Sequence, residues 1–220
     1  MEELNCKVVF TIPVGNGIPI YESVVVTWVI MAVLVLLSII LVRNLKVENP
    51  GKKQLALESG YLFFRNFFYN LLGKHGARYI PYMITVVLYI GLSNIAGVFG
   101  FVPPTKDLGV TIALAVMSII LIEYAGIHQK GTKGWLKAFA APMPVMLPFN
   151  ILELVIRPLS LCMRLFGNVL GSYVVMKLIE IICPILLPIP FNLYFDFFDG
   201  FIQAYVFVFL TSLFISEAIE

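Results

Sequence analysis

Hydrophobic residues fall into five long runs, set apart by short polar, charged or proline-rich stretches. Val24 to Val42 carries no charge. A second run, Ile80 to Val102, stops at Pro103 and Pro104. Leu108 to Ile127 is the third. The fourth is entered past Pro142, Pro144 and Pro148 and runs from Phe149 to about Cys183. After Pro184, Pro188 and Pro190, a fifth goes from Phe191 to about Ile215. A helix needs about 20 apolar residues to cross a bilayer. The pattern therefore predicts five spans, at about 24–42, 80–102, 108–127, 149–183 and 191–215. The last two are longer than a perpendicular crossing needs, so they are expected to tilt or bend. Between the first two runs, residues 55–72 mix aromatic and polar side chains in GYLFFRNFFYNLLGKHG. That stretch is too polar to span and reads as an amphipathic helix lying in the interface. The expected fold is an all-α integral membrane protein with one membrane domain over residues 1–220.

Composition agrees: 60% of the 220 residues are hydrophobic and only 13% are charged. Soluble domains carry nearer 45–50% and about 25%. Charge placement adds an orientation. Arg43, Lys46, Lys52, Lys53, Arg65, Lys74 and Arg78 lie between the first two spans, and Lys130, Lys133 and Lys137 follow the third. The alternate loops hold only Lys7 and Lys106. Basic loops stay in the cytoplasm, so the N-terminus is expected outside and the C-terminus inside. The opening MEELNCKVVF is acidic and precedes no small-residue cleavage site, unlike a secretory leader. Cys6, Cys162 and Cys183 are scattered and read as apolar fillers.

The fourth run carries polar residues at Glu153, Arg157, Ser160, Arg164 and Asn168. Spacings of 4, 3, 4 and 4 put them on one helical face. Arg164 lies in mid-run, where a charge costs about 2.5–3.5 kcal/mol on insertion scales. It cannot shed its proton. Two arginines and a carboxylate on one apolar helix point to function more than to packing, although Arg157 fits a structural or snorkelling role equally well. Gly167 and Gly171 form a GxxxG pair that lets another helix come close, and Pro158 is expected to bend the helix. In the fifth run, Asp196, Asp199 and Gln203, spaced 3 and 4, again share a face, with Glu217 further on. Buried carboxylates can exchange protons near neutral pH; for Asp199, plain exposure at the outer interface is the alternative. His75 and His128 lie in polar edge contexts without metal spacing. Residues 126–133 lack the Gly-Lys-Ser/Thr order of a phosphate loop. No nucleotide, nucleic-acid, cofactor or metal motif is present, and no bond chemistry is expected of this chain.

The segment LSLCMRLFGNVLG resembles the signature of the a subunits of rotary F-type ATP synthases, Ser-Leu-x-x-Arg-Leu-Phe-Gly-Asn. Ser160, Leu161, Arg164, Leu165, Phe166, Gly167 and Asn168 match it. Asn94, Pro104, Thr105 and Asp107, then Glu153, then Gln203 with Ala204, extend the likeness from about residue 80 onward. The resemblance implies a proton-translocating stator subunit of a bacterial plasma-membrane complex. Its partners would be a c-subunit ring, the b subunits of the peripheral stalk and membrane lipid. Arg164 would face the ring carboxylate and separate two offset half-channels. Asn168 and Gln203 would flank the proton path, and Ser160 and Glu153 would line the cytoplasmic side. Many such subunits carry an acid nine residues after the arginine and a histidine seven before the glutamine; Tyr173 and Asp196 stand there. Asp196 and Asp199 then become the main acid groups of the outer path. The competing reading is a stand-alone secondary transporter whose arginine binds an anionic substrate; such proteins show internal repeats, and none is visible.

Overall fold

The computed structural model describes residues 8–12, 18–43, 45–46, 51–99, 103–139, 147–182 and 188–219. It opens with a small antiparallel hairpin, β1 (Val8–Ile12) and β2 (Ile18–Tyr21), that the hydrophobic pattern did not announce. Seven helices follow: α1 (Glu22–Val42), α2 (Lys52–Gly76), α3 (Ile80–Ile95), α4 (Leu108–Phe139), α5 (Leu147–Ile182), α6 (Pro188–Asn192) and α7 (Gly200–Ile219). The all-α membrane architecture stands. Among the described residues, four helical stretches are long and apolar enough to cross a bilayer: Glu22–Val42, Leu108–Trp135, Leu147–Ile182 and Leu193–Ile219. The expected second span is the short one. The 16 residues of α3 rise about 24 Å, against a core of about 30 Å. A 3-10 turn, Ala96–Phe99, continues it.

The core forms where α3, α4, α5 and α7 meet, with α2 packed across α3 and α7. Met83 and Ile90 of α3, Ile122 and Ala125 of α4, Leu161 and Leu165 of α5, and Val208 and Ile215 of α7 are fully enclosed. Some buried hydroxyls find partners along their own helices, while those of Tyr82, Ser93 and Ser118 have none among the described residues. Thr211 Oγ1 donates to the Phe207 carbonyl and Ser212 Oγ to that of Val208, each at 2.8 Å. Back-bonding of this kind hides a hydroxyl without a second helix. Outside the core, α1 buries only Ser23 and Ile30, and α5 exposes one apolar side from Phe149 to Ile182. In water such faces would drive aggregation; here they meet lipid or other chains.

Two glycines with positive φ, Gly73 (63°) and Gly131 (71°), break α2 and α4. Past Gly131 the chain folds back, so that the Trp135 indole N–H donates to Glu123 Oε2 at 2.8 Å. α5 continues unbroken through Pro158. In the last segment, Leu193–Asp199 is wound as a π-helix between α6 and α7. π turns are rare, and they collect at functional sites.

A close helix crossing lies at the end of this π stretch. A Cβ on Gly200 would stand 2.6 Å from the Cβ of Asn94. Gly200→Leu is therefore expected to force α3 and α7 apart and cost at least about 1–3 kcal/mol. Lowered melting of the purified complex reads this out; unchanged melting would contradict the crossing.

Candidate functional site

Helix α5 sorts its side chains sharply. Leu161, Cys162 and Leu165 point into the bundle, while Ser160, Arg164 and Asn168 are exposed on another side. The polar stripe is thus not an internal packing feature. Among the described residues Arg164 makes no hydrogen bond or ion pair. Its charge is offered outward from an apolar surface that includes Leu159 and Met163.

Arg157, two turns earlier, behaves differently. Its Nη2 reaches Glu153 Oε2 at 3.2 Å and Glu217 Oε1 at 2.7 Å. Its guanidinium also lies 4.9 Å from the Phe214 ring centroid. Arg157 therefore ties α5 to the end of α7, in keeping with its structural reading. Glu153 is one of its partners, and its exposed carboxylate stands at the same end of the bundle.

The other polar group forms around Asn94, at the opposite end of α3. Thr105 Oγ1 donates to Asn94 Oδ1 at 2.8 Å, and Asn94 Nδ2 donates to the Gly200 carbonyl at 3.0 Å. One buried amide so joins α3, the turn before α4, and the π–α7 junction. That carbonyl needs a partner because a π-to-α transition disturbs the regular ladder. Asp107 closes the same turn: its carboxylate accepts from the Gly109 amide at 2.9 Å, capping α4, and from the Ser23 hydroxyl of α1.

Beside this knot opens a small cleft of about 20 Å³, room for about one water, lined by Asn94, Val169, Ser172, Phe195, Asp199 and Gln203 among others. Gln203 is only 7% exposed, and Asp199 is half-buried. The cleft meets α5 at Val169 and Ser172, within about 12 Å along the axis of Arg164 at 1.5 Å per residue. The structure thus brings Asp199 and Gln203 together, against the turns of α5 just beyond Asn168. It keeps Ser160 and Glu153 toward the other end. Asp196 lies within the π stretch, and its side chain is outside the described residues. The single face expected for Asp196, Asp199 and Gln203 assumed 3.6 residues per turn, a geometry that begins only at Gly200. Asn94 and Ser172 were not among the expected site residues. An asparagine in an apolar run, and its place in the family likeness, were the signals that could have raised the first.

The profile of the ATP synthase A chain family matches residues 24–216. The chain belongs to that family. It is 38% identical over 204 residues to ATP synthase subunit a of Moorella thermoacetica, covering 92% of this chain and 93% of that protein. It is 33% identical over 219 residues to the sodium ion specific subunit a of Propionigenium modestum, covering 92% and 75%. The subunit a 1 of Hahella chejuensis is 34% identical over 202 residues, covering 91% and 85%. As a family member, the chain is a membrane-sector component of an F-type ATP synthase.

The two polar groups differ in their expected energetics. Asn94→Leu leaves the Gly200 carbonyl and the Thr105 hydroxyl unpaired in the interior, at about 1–3 kcal/mol each. Arg157→Met frees two carboxylates that are already 56% and 60% exposed, so it should cost below about 1 kcal/mol. Comparing the melting of the two variant complexes checks that order.

Proposed function

We propose that this chain is the proton-translocating stator subunit of its complex. The observation that carries the proposal is the unpartnered Arg164 on an exposed face of α5, beside a polar cleft holding Asp199 and Gln203. Among the described residues nothing balances this guanidinium, which favours a carboxylate brought to it from outside. That carboxylate would sit on a ring of c subunits passing α5. While it faces lipid it must be neutral, because an unpaired charge there is too costly. Opposite Arg164 its anion is favoured, so it releases its proton.

Two offset half-channels complete the cycle. The Asp199–Gln203 cleft serves the outer one, with Asn168 and Asp196 beside it. The side of Ser160 and Glu153 serves the cytoplasmic one. Arg164 separates them and, being permanently charged, keeps protons from hopping directly across. The membrane potential contributes about 2.3 kcal/mol per charge per 100 mV. The distribution of Lys and Arg supports an outside N-terminus and a cytoplasmic C-terminus in a bacterial plasma membrane. The exposed side of α1 is available to the b subunits.

Arg164→Ala is expected to abolish ATP-driven proton pumping in vesicles reconstituted with the whole complex, read from quenching of a pH-sensitive dye. Wild-type pumping in that variant would overturn the proposal.

A further inference from the structure

A cavity of about 140 Å³ lies between α2, α3 and α7 and shares no lining residue with the polar cleft. Phe63, Phe64, Phe67 and Phe68 of α2 form most of its wall, with Val87 of α3 and Tyr205 of α7. That wall is almost wholly carbon, so water finds no partner inside. Ring contacts hold it open: Phe63–Phe64, Phe67–Phe68 and Phe67–Tyr205 pair at 5.5, 5.2 and 5.6 Å between centroids. The inner end is shut by Phe68 and Val208, at 2% and 1% exposure, while the outer end reaches the surface at Phe63 and Tyr205, at 69% and 49%. An engineered cavity of about 150 Å³ with apolar walls takes up benzene, and an empty one forfeits dispersion contacts. For a membrane protein, the apolar matter at such an opening is the acyl chain of a lipid.

The same helix carries a track that leads to the opening. Lys53, Ala56, Gly60, Phe63 and Phe67 are spaced 3, 4, 3 and 4, so they share one face of α2, which is regular up to Gly73. Ala56 and Gly60 are small and exposed, and a Cβ on Gly60 would meet nothing within 4 Å. From Lys53 to Phe63 the rise is about 15 Å, half the roughly 30 Å hydrocarbon core and so the depth that one acyl chain covers. The far end of the track is basic. Lys46, Lys52 and Lys53 gather there, because the Gln54 amide ties the Lys46 backbone to the start of α2 at 3.0 and 2.9 Å. Among the described residues the acid nearest in sequence, Glu58, lies on another face and accepts from Gln54 at 2.8 Å. The ammonium groups of Lys52 and Lys53 make no hydrogen bond or ion pair among the described residues.

We propose that this face of α2 binds one anionic phospholipid: its phosphate rests on Lys52 and Lys53, one acyl chain follows Ala56 and Gly60, and the chain end fills the aromatic cavity. Lysines at a membrane surface favour anionic headgroups over zwitterionic ones, and an ammonium bonded to a phosphate oxygen is a charge-assisted contact. The bound chain completes the packing of α2 against α3 and α7, which otherwise meet across a void.

The test uses the intact complex in phosphatidylcholine vesicles that carry a trace of photoreactive lipid. This is either phosphatidylglycerol or phosphatidylcholine, each with a diazirine at the end of one acyl chain. After photolysis, mass spectrometry counts adducts on residues 60–68 relative to those on the exposed apolar side of α1. Phosphatidylglycerol should label residues 60–68 at least about fivefold more than phosphatidylcholine. Replacing both lysines, Lys52→Gln with Lys53→Gln, should bring the two lipids to parity. Gly60→Leu has room for its side chain; it should block the track and remove the labelling by either lipid. Equal labelling of the unmodified complex overturns the proposal, as does an undiminished preference in the lysine variant. Absence of adducts on residues 60–68 overturns it too, since another subunit would then cover the cavity. Should the lysine variant fail to assemble, Gly60→Leu carries the comparison, and undiminished labelling there is equally fatal.

Discussion

Everything near the cleft hangs on one buried amide. Asn94 gives its donor to the Gly200 carbonyl and its acceptor to the Thr105 hydroxyl, so three chain segments meet at a single side chain. In a lipid-facing protein no water stands ready to replace either bond. The absence of a side chain at residue 200 allows the backbones to come close enough for them. The π-helical stretch can then end in register with α3. Asp199 and Gln203 face the cleft because the segment that carries them is fastened there.

The rule that governs Asn94 also explains the two arginines. Asn94 finds its partners within the chain, and Arg157 does so too, with Glu153, Glu217 and the Phe214 face. Arg164 breaks that pattern on the same helix, two turns away. Its exposure among apolar neighbours would be a defect in an isolated protein. It makes sense in a subunit whose electrostatic complement belongs to another chain. On the proposed function, another chain completes the site.

Much of this was readable from residue order. Apolar runs located the long helices because a span must be apolar over its whole length. The 4-3-4-4 spacing picked out a real stripe on α5, since that helix stays regular through Pro158. Whether the stripe faced inward or outward was not readable, because the answer depends on which side the other helices cover. The π winding of Leu193–Asp199 was hidden as well. Nothing in LYFDFFD distinguishes a wide turn from an ordinary one when the cause is tertiary: a distant asparagine binding the next carbonyl. The hairpin before α1 and the fold-back after Gly131 are set by local turns that hydrophobic periodicity does not register.

Tyr173 illustrates how a departure from a family pattern gains meaning from geometry. As a letter in the sequence it only removed an expected acid. In the folded chain its ring carries Lys106 at 3.4 Å, so the exchange does more than delete a proton carrier. It swaps a negative charge for a seat that holds a positive one. The contact also ties the turn before α4 to α5, since Lys106 lies in that turn and Tyr173 on that helix. The same turn is held to α3 and to the start of α7 by Asn94, through one pair of hydrogen bonds.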